Sequence, residues 1–519
     1  MCGGSARSAS PPSRISCRCD VHRRVGYALP IVVVVGILLG DSLGPGSASA
    51  TLGTSVLLGG AVAVARSPAA RSVLVVMALV ALGCAVERRA LDGLTSGAIA
   101  AAAQARADAE VTGSVVDDPD GTRWSTRALV RVDRAWVRTA QGGRMVRERR
   151  TLFVVADGAA AGRIAVLTAG DRVVLRGWLR PLDGYDARYR WRHAVARLDA
   201  LELVDAAPAT GVLVVAANAA RGIVLRGADV LRPTERALVA GFLLGDTRDL
   251  PDDVLAQFRA SGLSHLLAVS GANVAFVLAL VGPLVRRSTR TARLVATFAT
   301  LLVFGAMTRW EPSVLRACAM AATAVFATHV GRPAQGVRVL ALASAALLVV
   351  DPFLLRSVGF LLSCGASLGI ALLAGAVARH LRGPEWLRAS VGTTIAAQVG
   401  VAPVLLPVFG SIPLVTLPAN LLAVPLAGPL TTWGLTGGVL AGIVRPRAPG
   451  LAGLLQLPTS VLAQALLGLA DLAARAPAPL DATDLAVVGA VALLVVGTVA
   501  AWRAHRRMLR ERALVVPPR

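Results

Sequence analysis

The chain has 519 residues, 55% of them hydrophobic and 16% charged, with a mean hydropathy of +0.64. Those proportions exclude an ordinary soluble domain and describe a polytopic membrane protein. Its formal charge of +23 comes from arginine alone, because no lysine occurs. Arginine for lysine beside abundant Ala, Gly and Val marks a GC-rich bacterial genome, so the choice of base says nothing about function. A Walker A phosphate loop, which needs a lysine, is excluded.

In chain order, a basic arm over residues 1–25 leads into N-terminal membrane segments over 26–89, with apolar runs near 27–44, 50–66 and 71–87. The arm, the run after it and SASA at 47–50 also have the form of a secretory signal; a first membrane anchor is the preferred reading. Cys2, Cys17 and Cys19 lie in or beside the arm, and Cys84, Cys318 and Cys364 lie in apolar segments. No disulfide framework results, and Cys17-x-Cys19 is too short and isolated for zinc, so no metal and no cofactor are expected.

Residues 90–207 are polar and carry strand-like runs: VTGSVV from 111, RALVRVDRAWVR from 127, TLFVVA from 151, DRVVLRGWLRP from 171 and RLDALELV from 197. Turn formers separate them. In the second run Ala128, Val130 and Val132 share one face while Ala135 and Val137 fall on the other, which predicts a bulge near Asp133-Arg134. About five bulged strands in roughly a hundred residues fit a small OB-like β-barrel, with a β-sandwich as the alternative. Over 208–262, Arg221, Arg226, Arg232 and Arg236 recur at roughly helical spacing, which predicts amphipathic helices lying on a membrane surface. Asp249 is expected to cap a short helix with Pro251 near its first turn.

Apolar segments then dominate residues 263–503, and a basic tail follows over 504–519. Loop charge sets the parity: RSPAAR (66–71), RRSTRTAR (286–293), GRPAQGVR (331–338), ARHLRGPEWLR (378–388), RPR (445–447) and RAHRRMLRER (503–512) all fall in the cytoplasm if there are twelve crossings. The fold class is a polytopic α-helical membrane protein of about 12 membrane segments with a small extracytoplasmic OB-like β-barrel domain. The same count places residues 309–312 and 351–352 at the outer surface.

One stretch, ASGLSHLLAVSGANVAFVLAL at 260–280, is too polar for a simple span. On one unbroken helix Ser264, His265, Ser270 and Asn273 fan around most of the circumference, so no single protein-facing stripe hides them. The segment is therefore either surrounded by other helices or broken near Ser270-Gly271.

FLLGDTRDLPDDVLAQFRASGLSHLLAVSGANVAFV, RWEPSVLRACAMA, DPFLLRSVGFLLSCGASLGI and AAQVGVAPVLLPVFGSIPLVTLPANLLAVPLAGPL, in this order, resemble the blocks of the ComEC family of competence proteins. The resemblance covers most of the chain, more weakly before residue 230. It implies a channel in the bacterial cytoplasmic (inner) membrane that takes up single-stranded DNA during natural transformation. Two departures stand out. Many members have a histidine soon after the Ser-Gly, where this chain has Asn273, which does not titrate near neutrality. Many also carry a metallo-β-lactamase-like domain, whereas this sequence holds no His-x-His-x-Asp-His cluster, so no nuclease activity and no catalytic residue carry over.

Ser261, Gly262, His265, Ser270, Gly271 and Asn273 are channel candidates: His265 is one helical turn from Ser261, and Ser270 pairs with Asn273 at i, i+3. Spacing alone equally fits interhelical hydrogen bonds worth about 1 kcal/mol each; the resemblance favours a polar lining. Arg259, Arg309 and Arg316 are phosphate candidates, because guanidinium forks bind phosphate bidentately. Arg316, a few residues inside a span, either snorkels outward, lines an aqueous path or is neutralised by Glu311. Gln398 and Asn420 stand in a block whose prolines, Pro403, Pro407, Pro413, Pro418, Pro425 and Pro429, are expected to interrupt helices around a cavity or to shape packing. On the polar domain Trp178 and the run Arg188, Tyr189, Arg190, Trp191 and Arg192 are candidates for an outer single-strand platform, with barrel packing as the alternative.

Passing DNA into a negative interior costs about 2.3 kcal/mol per unscreened phosphate per 100 mV. A lining cannot supply that work, so a cytosolic ATP-driven translocase or trapping by single-strand DNA-binding proteins is expected, with a separate nuclease and homo-oligomerisation left open. Membrane lipid is the other partner. A secondary transporter of another anion and an intramembrane hydrolase using Ser270 and His265 are the alternatives; the latter needs a helix break, since five residues set the two about 140° apart.

Overall fold

The structure, a computed structural model, describes residues 14–46, 48–121, 124–139, 142–332, 335–413, 415–475 and 479–481. The expected span at 484–503 and the tail 504–519 lie outside the described residues. Three helices open the chain, α1 (Arg14–Leu43), α2 (Ala48–Val64) and α3 (Pro68–Thr95). Ser67 caps α3 by accepting from the Ala70 N–H, and Pro68 occupies the first turn, where a missing N–H costs nothing. α1 and α3 touch backbone to backbone because a methyl group on Gly36 would strike the Val80 carbonyl.

A short helix, α4 (Ala98–Gln104), leads into the sheet: β1 (Asp108–Val115), β2 (Asp120–Gly121), β3 (Ser125–Thr139), β4 (Gly142–Val146) and β5 (Arg150–Asp157), then helix α5 (Ala159–Ala165), β6 (Arg172–Arg180), a 3-10 segment Gly184–Arg192 and β7 (Ala194–Ala207). All five expected strands are present. β1 pairs with β3 and β6, β6 with β7, β7 with β5 and β5 with β3, so the pairings close on themselves; β5–β7 is parallel and the others are antiparallel. The predicted bulge is at Asp133: Thr112 faces Arg134 and Gly113 faces Val132, leaving Asp133 without a partner on β1. That extra residue flips the side-chain parity, and Ala128, Val130 and Val132 before it enter the same core as Ala135 and Val137 after it.

The helical part comprises α6 (Val212–Ala228), α7 (Pro233–Leu244), α8 (Asp252–Ala260), α9 (Ser264–Leu267), α10 (Gly271–Val285), α11 (Arg290–Met307), α12 (Pro312–His329) and α13 (Gly336–Val350). After a 3-10 turn Pro352–Arg356 come α14 (Val358–His380), α15 (Glu385–Phe409), β8 (Ser411–Pro413), α16 (Thr416–Val444), α17 (Pro449–Ala474) and β9 (Pro479–Asp481). Among the described residues five helices are long and apolar enough to cross a membrane, α3, α11, α14, α15 and α17; residues 28–43, α2, α10 and α13 are shorter apolar helices.

Other expectations are corrected. α7 does not lie on a surface: Ala237 to Leu244 are all buried, and Arg221 on α6 is only 5% exposed. Arginine spacing shows a helix but not which neighbours cover it. Asp249 caps nothing; Pro251 is the N-cap of α8, and Asp249 accepts from Arg236 at 2.9 Å. α15 runs through Pro403 and Pro407, and α16 through Pro425 and Pro429, so the break between them falls at 410–415 instead. Arg445, at the end of α16, bonds Asp229 at the end of α6 at 2.6 Å.

Candidate functional site

The sheet domain meets the helices through an ionic seam. Asp118, in the loop after β1, accepts from Arg221 at 2.8 Å and from Arg309 at 2.6 and 3.1 Å. Arg221 also bonds Asp246 at 3.1 Å and the Leu244 and Met307 carbonyls, and Arg248 grips Asp246 through two nitrogens. Burial works to raise the Asp118 carboxyl, but the Arg221 charge and the Arg309 bonds outweigh it and hold it below its ordinary value. Arg309, expected to meet phosphate, is thus already neutralised, and its other nitrogen donates to Asn218 at 2.8 Å. Arg309 and Trp310 both take left-handed backbone (φ 55°), a strained turn held by the Trp310 ring over Gly305. Glu311 follows, packed against Gly245, and burial raises its carboxyl to about 7, with a bond to the Val269 backbone opposing.

The seam continues through the expected outer platform. Arg192 bonds Asp117, and His193 Nε2 meets Asp351 at 3.2 Å. Trp191 packs edge-on to Phe353 with Arg356 over its face, Tyr189 stacks on Phe153 at 3.7 Å, Arg190 donates to the Leu182 carbonyl, and Arg188 lies over Tyr185. Trp191 and Arg192 therefore join the seam, Tyr189 and Arg190 pack within their own domain, and Arg188 stays exposed over Tyr185. Trp178 stays exposed, and Trp136 shares its outer face, since β1 sets Asp108 opposite Trp178 and Glu110 opposite Trp136.

In the bundle the polar stretch is broken, as one of its two readings required: α9 ends at Leu267, Ala268 to Ser270 are extended, and α10 starts at Gly271. Ser261 donates to the Phe258 carbonyl, while exposed His265 has Nδ1 3.2 Å from the Gly262 carbonyl, so Ser261 and His265 are not joined. Ser270 and Asn273 are joined, weakly, at 3.4 Å. Buried Asn273 donates to the Phe242 carbonyl at 2.9 Å and accepts from Thr431 at 3.3 Å. Gly262 takes φ 72° and lies against Thr416, where any side chain would collide. Arg259 is exposed on α8, and Gln398 is half-buried on α15. Four buried polar atoms on α16 and α17 have no hydrogen-bond partner among the described residues: Thr416 Oγ1, Asn420 Oδ1, Gln456 Oε1 and Thr459 Oγ1.

Arg316 neither snorkels nor pairs with Glu311. It is 7% exposed, with Nε donating to Ser363 and Nη1 to Ser367, both at 2.7 Å. Among the described residues no carboxylate lies within 4.0 Å of its guanidinium. Sequence reasoning missed Asp118, Arg221, Thr416 and both serines; Ser363 and Ser367, four apart in an apolar helix, were the one local signal.

A family model described as competence protein matches residues 242–507. ComE operon protein 3 of Bacillus subtilis (strain 168) is 27% identical over 221 residues, 41% of this chain and 27% of that protein. Uncharacterized protein YcaI of Escherichia coli (strain K12) is 28% identical over 208 residues, 37% of this chain and 27% of that protein. The chain thus spans about a quarter of the length of these relatives. No solved structure matches it.

Proposed function

The chain belongs to the competence-protein family, and from that premise we propose that it forms the path by which single-stranded DNA crosses the bacterial cytoplasmic membrane during natural transformation. The observation that carries this reading is the set of buried polar atoms at Thr416, Asn420, Gln456 and Thr459 that have no hydrogen-bond partner among the described residues. In an apolar bundle each costs about 1–3 kcal/mol unless water or a ligand meets it. Such groups accumulate where a conduit is wet and are purged where packing is dry.

The closed ring of β1, β3, β5, β7 and β6, with one parallel pair and α5 between β5 and β6, supports an OB-like barrel, which loop charge puts outside the cytoplasm in this reading. Trp136 and Trp178 on its outer face are then its base-stacking candidates. The chain does no chemistry in this reading. Inward transport of phosphate against about 2.3 kcal/mol per charge per 100 mV calls for an ATP-driven partner or single-strand traps in the cytosol.

Asn420→Leu and Thr416→Val test it. Both side chains have an oxygen without a protein partner, so in a dry core the apolar replacements stabilise the fold and leave transport intact. We expect uptake of labelled DNA to fall about tenfold or more, as dewetting a polar path raises its barrier, with membrane expression unchanged. Normal uptake in both variants overturns the wet-path reading.

A further inference from the structure

Arg316 presents an electrostatic problem that its own partners do not solve. The guanidinium is more than nine-tenths buried, and no carboxylate among the described residues lies within 4.0 Å. A lone cation in such a place costs several kcal/mol unless a counter-charge is supplied. Its third nitrogen, Nη2, makes no hydrogen bond among the described residues and points at the start of α10: a methyl group built on Gly271 would sit 3.3 Å from it. The first turn of this 15-residue helix carries no acidic side chain, and no side chain caps it at Ser270. A positive helix end and a buried guanidinium thus face each other, an arrangement that repels unless an anion lies between them.

The two serines point the same way. Several helical hydroxyls in the bundle donate to the carbonyl four residues back, as Thr323 does to Ala319, Thr394 to Ser390 and Thr432 to Gly428. Ser363 and Ser367 make no such bond among the described residues; each oxygen accepts from Arg316, and each keeps its proton for another acceptor. We infer that Arg316, Ser363, Ser367 and the N-terminus of α10 form a site for one phosphodiester monoanion. The site supplies a guanidinium N–H, two hydroxyls and the backbone N–H groups of Gly271 and Ala272, ahead of the Asn273 N–H that bonds the Ser270 carbonyl, all donors, which matches an oxyanion and rejects a cation. That the anion is a phosphodiester rests on the transport reading above; that an anion is held rests on the geometry alone. Nucleic-acid backbone and lipid headgroup share this chemistry.

The test uses the full chain purified in a phosphate-free maltoside detergent, with inorganic phosphate, a short oligodeoxythymidylate and added phosphatidylglycerol as three separate arms. Phosphate is expected to raise the melting temperature of the native chain. Ser363→Ala with Ser367→Ala, which leaves the charge in place, weakens phosphate and oligonucleotide binding about tenfold, the loss of one to two charge-assisted bonds, and Arg316→Gln abolishes it. Displacement of oligonucleotide by phosphatidylglycerol identifies one shared site, and binding of the lipid alone assigns the site to a headgroup and overturns its place on a nucleic-acid path. Phosphate binding that is absent, or equal in the serine double variant, overturns the site itself. Failure of the transport reading shows separately, as no DNA uptake by cells whose only copy is the native chain.

Discussion

Asp118 accepts bonds from arginines on α6 and on the α11–α12 loop, joining the sheet domain to both Arg221 and Arg309. Breaking a buried pair by removing one partner leaves an uncompensated charge and costs about 3–5 kcal/mol. Asp118→Ala is therefore expected to lower thermal stability in detergent by about that much, and a double-mutant cycle with Arg309→Gln should show strong coupling. Additive effects would disprove the clasp. Glu311 gives the opposite kind of test. Folding raises its carboxyl from 4.5 to about 7, so the folded chain keeps a proton that the unfolded chain has lost. Its contribution is full below about pH 4.5, declines as pH rises to about 7 and is level above that. Glu311→Gln should flatten that part of the pH-stability profile, and an unchanged slope would assign it to another group. The candidate arginines were legible as residue types, but their fates were not: Arg309 is consumed by a carboxylate, Arg259 faces solvent, and Arg316 is left with a charge to neutralise.

Among the elements, the strands and the bulge could be read from the chain because a period of two is a local property and Asp133 visibly breaks it. Deleting Asp133 turns Ala135 and Val137 outward along with the rest of β3. The expected result is a domain that is cleaved readily by protease in the full chain and loses strand signal in circular dichroism; a resistant domain would mean the bulge is not what sets the register. The helix break at Ser270-Gly271 was one of the two readings the chain allowed, since four polar side chains around one circumference leave no apolar stripe but fit a surrounded helix as well as a broken one. The prolines misled because proline removes one backbone donor without ending a helix whose neighbours pack around it, as in α15 and α16. α7 misled for a related reason: its arginines, Arg232 and Arg236, mark its first turn while the rest is covered on every side.

For the whole molecule, the sheet domain is joined to the bundle along one continuous line, from Asp118 through Asp117–Arg192 and His193–Asp351 to Arg356, which also bonds Asp41 of α1 and Glu87 of α3. With the native cysteines replaced, Val166→Cys on the domain and Arg447→Cys in the α16–α17 loop are expected to react with a membrane-impermeant maleimide from opposite sides of sealed membranes, as loop charge predicts. Labelling from the same side would overturn that parity.

Composition, periodicity and the ordered polar blocks by themselves determined that this is a membrane protein with a strand-built polar domain and one helix too polar for a simple span, because each of those is written in residues close together. What they did not determine is which charges are neutralised. Asp118 meets Arg221 103 positions later and Arg309 191 positions later, while Arg316 meets two serines about fifty positions on and, among the described residues, no acid. Coulombic partners act through space, over a few ångströms, so the difference between a locked arginine and one that calls for an anion was decided by tertiary structure.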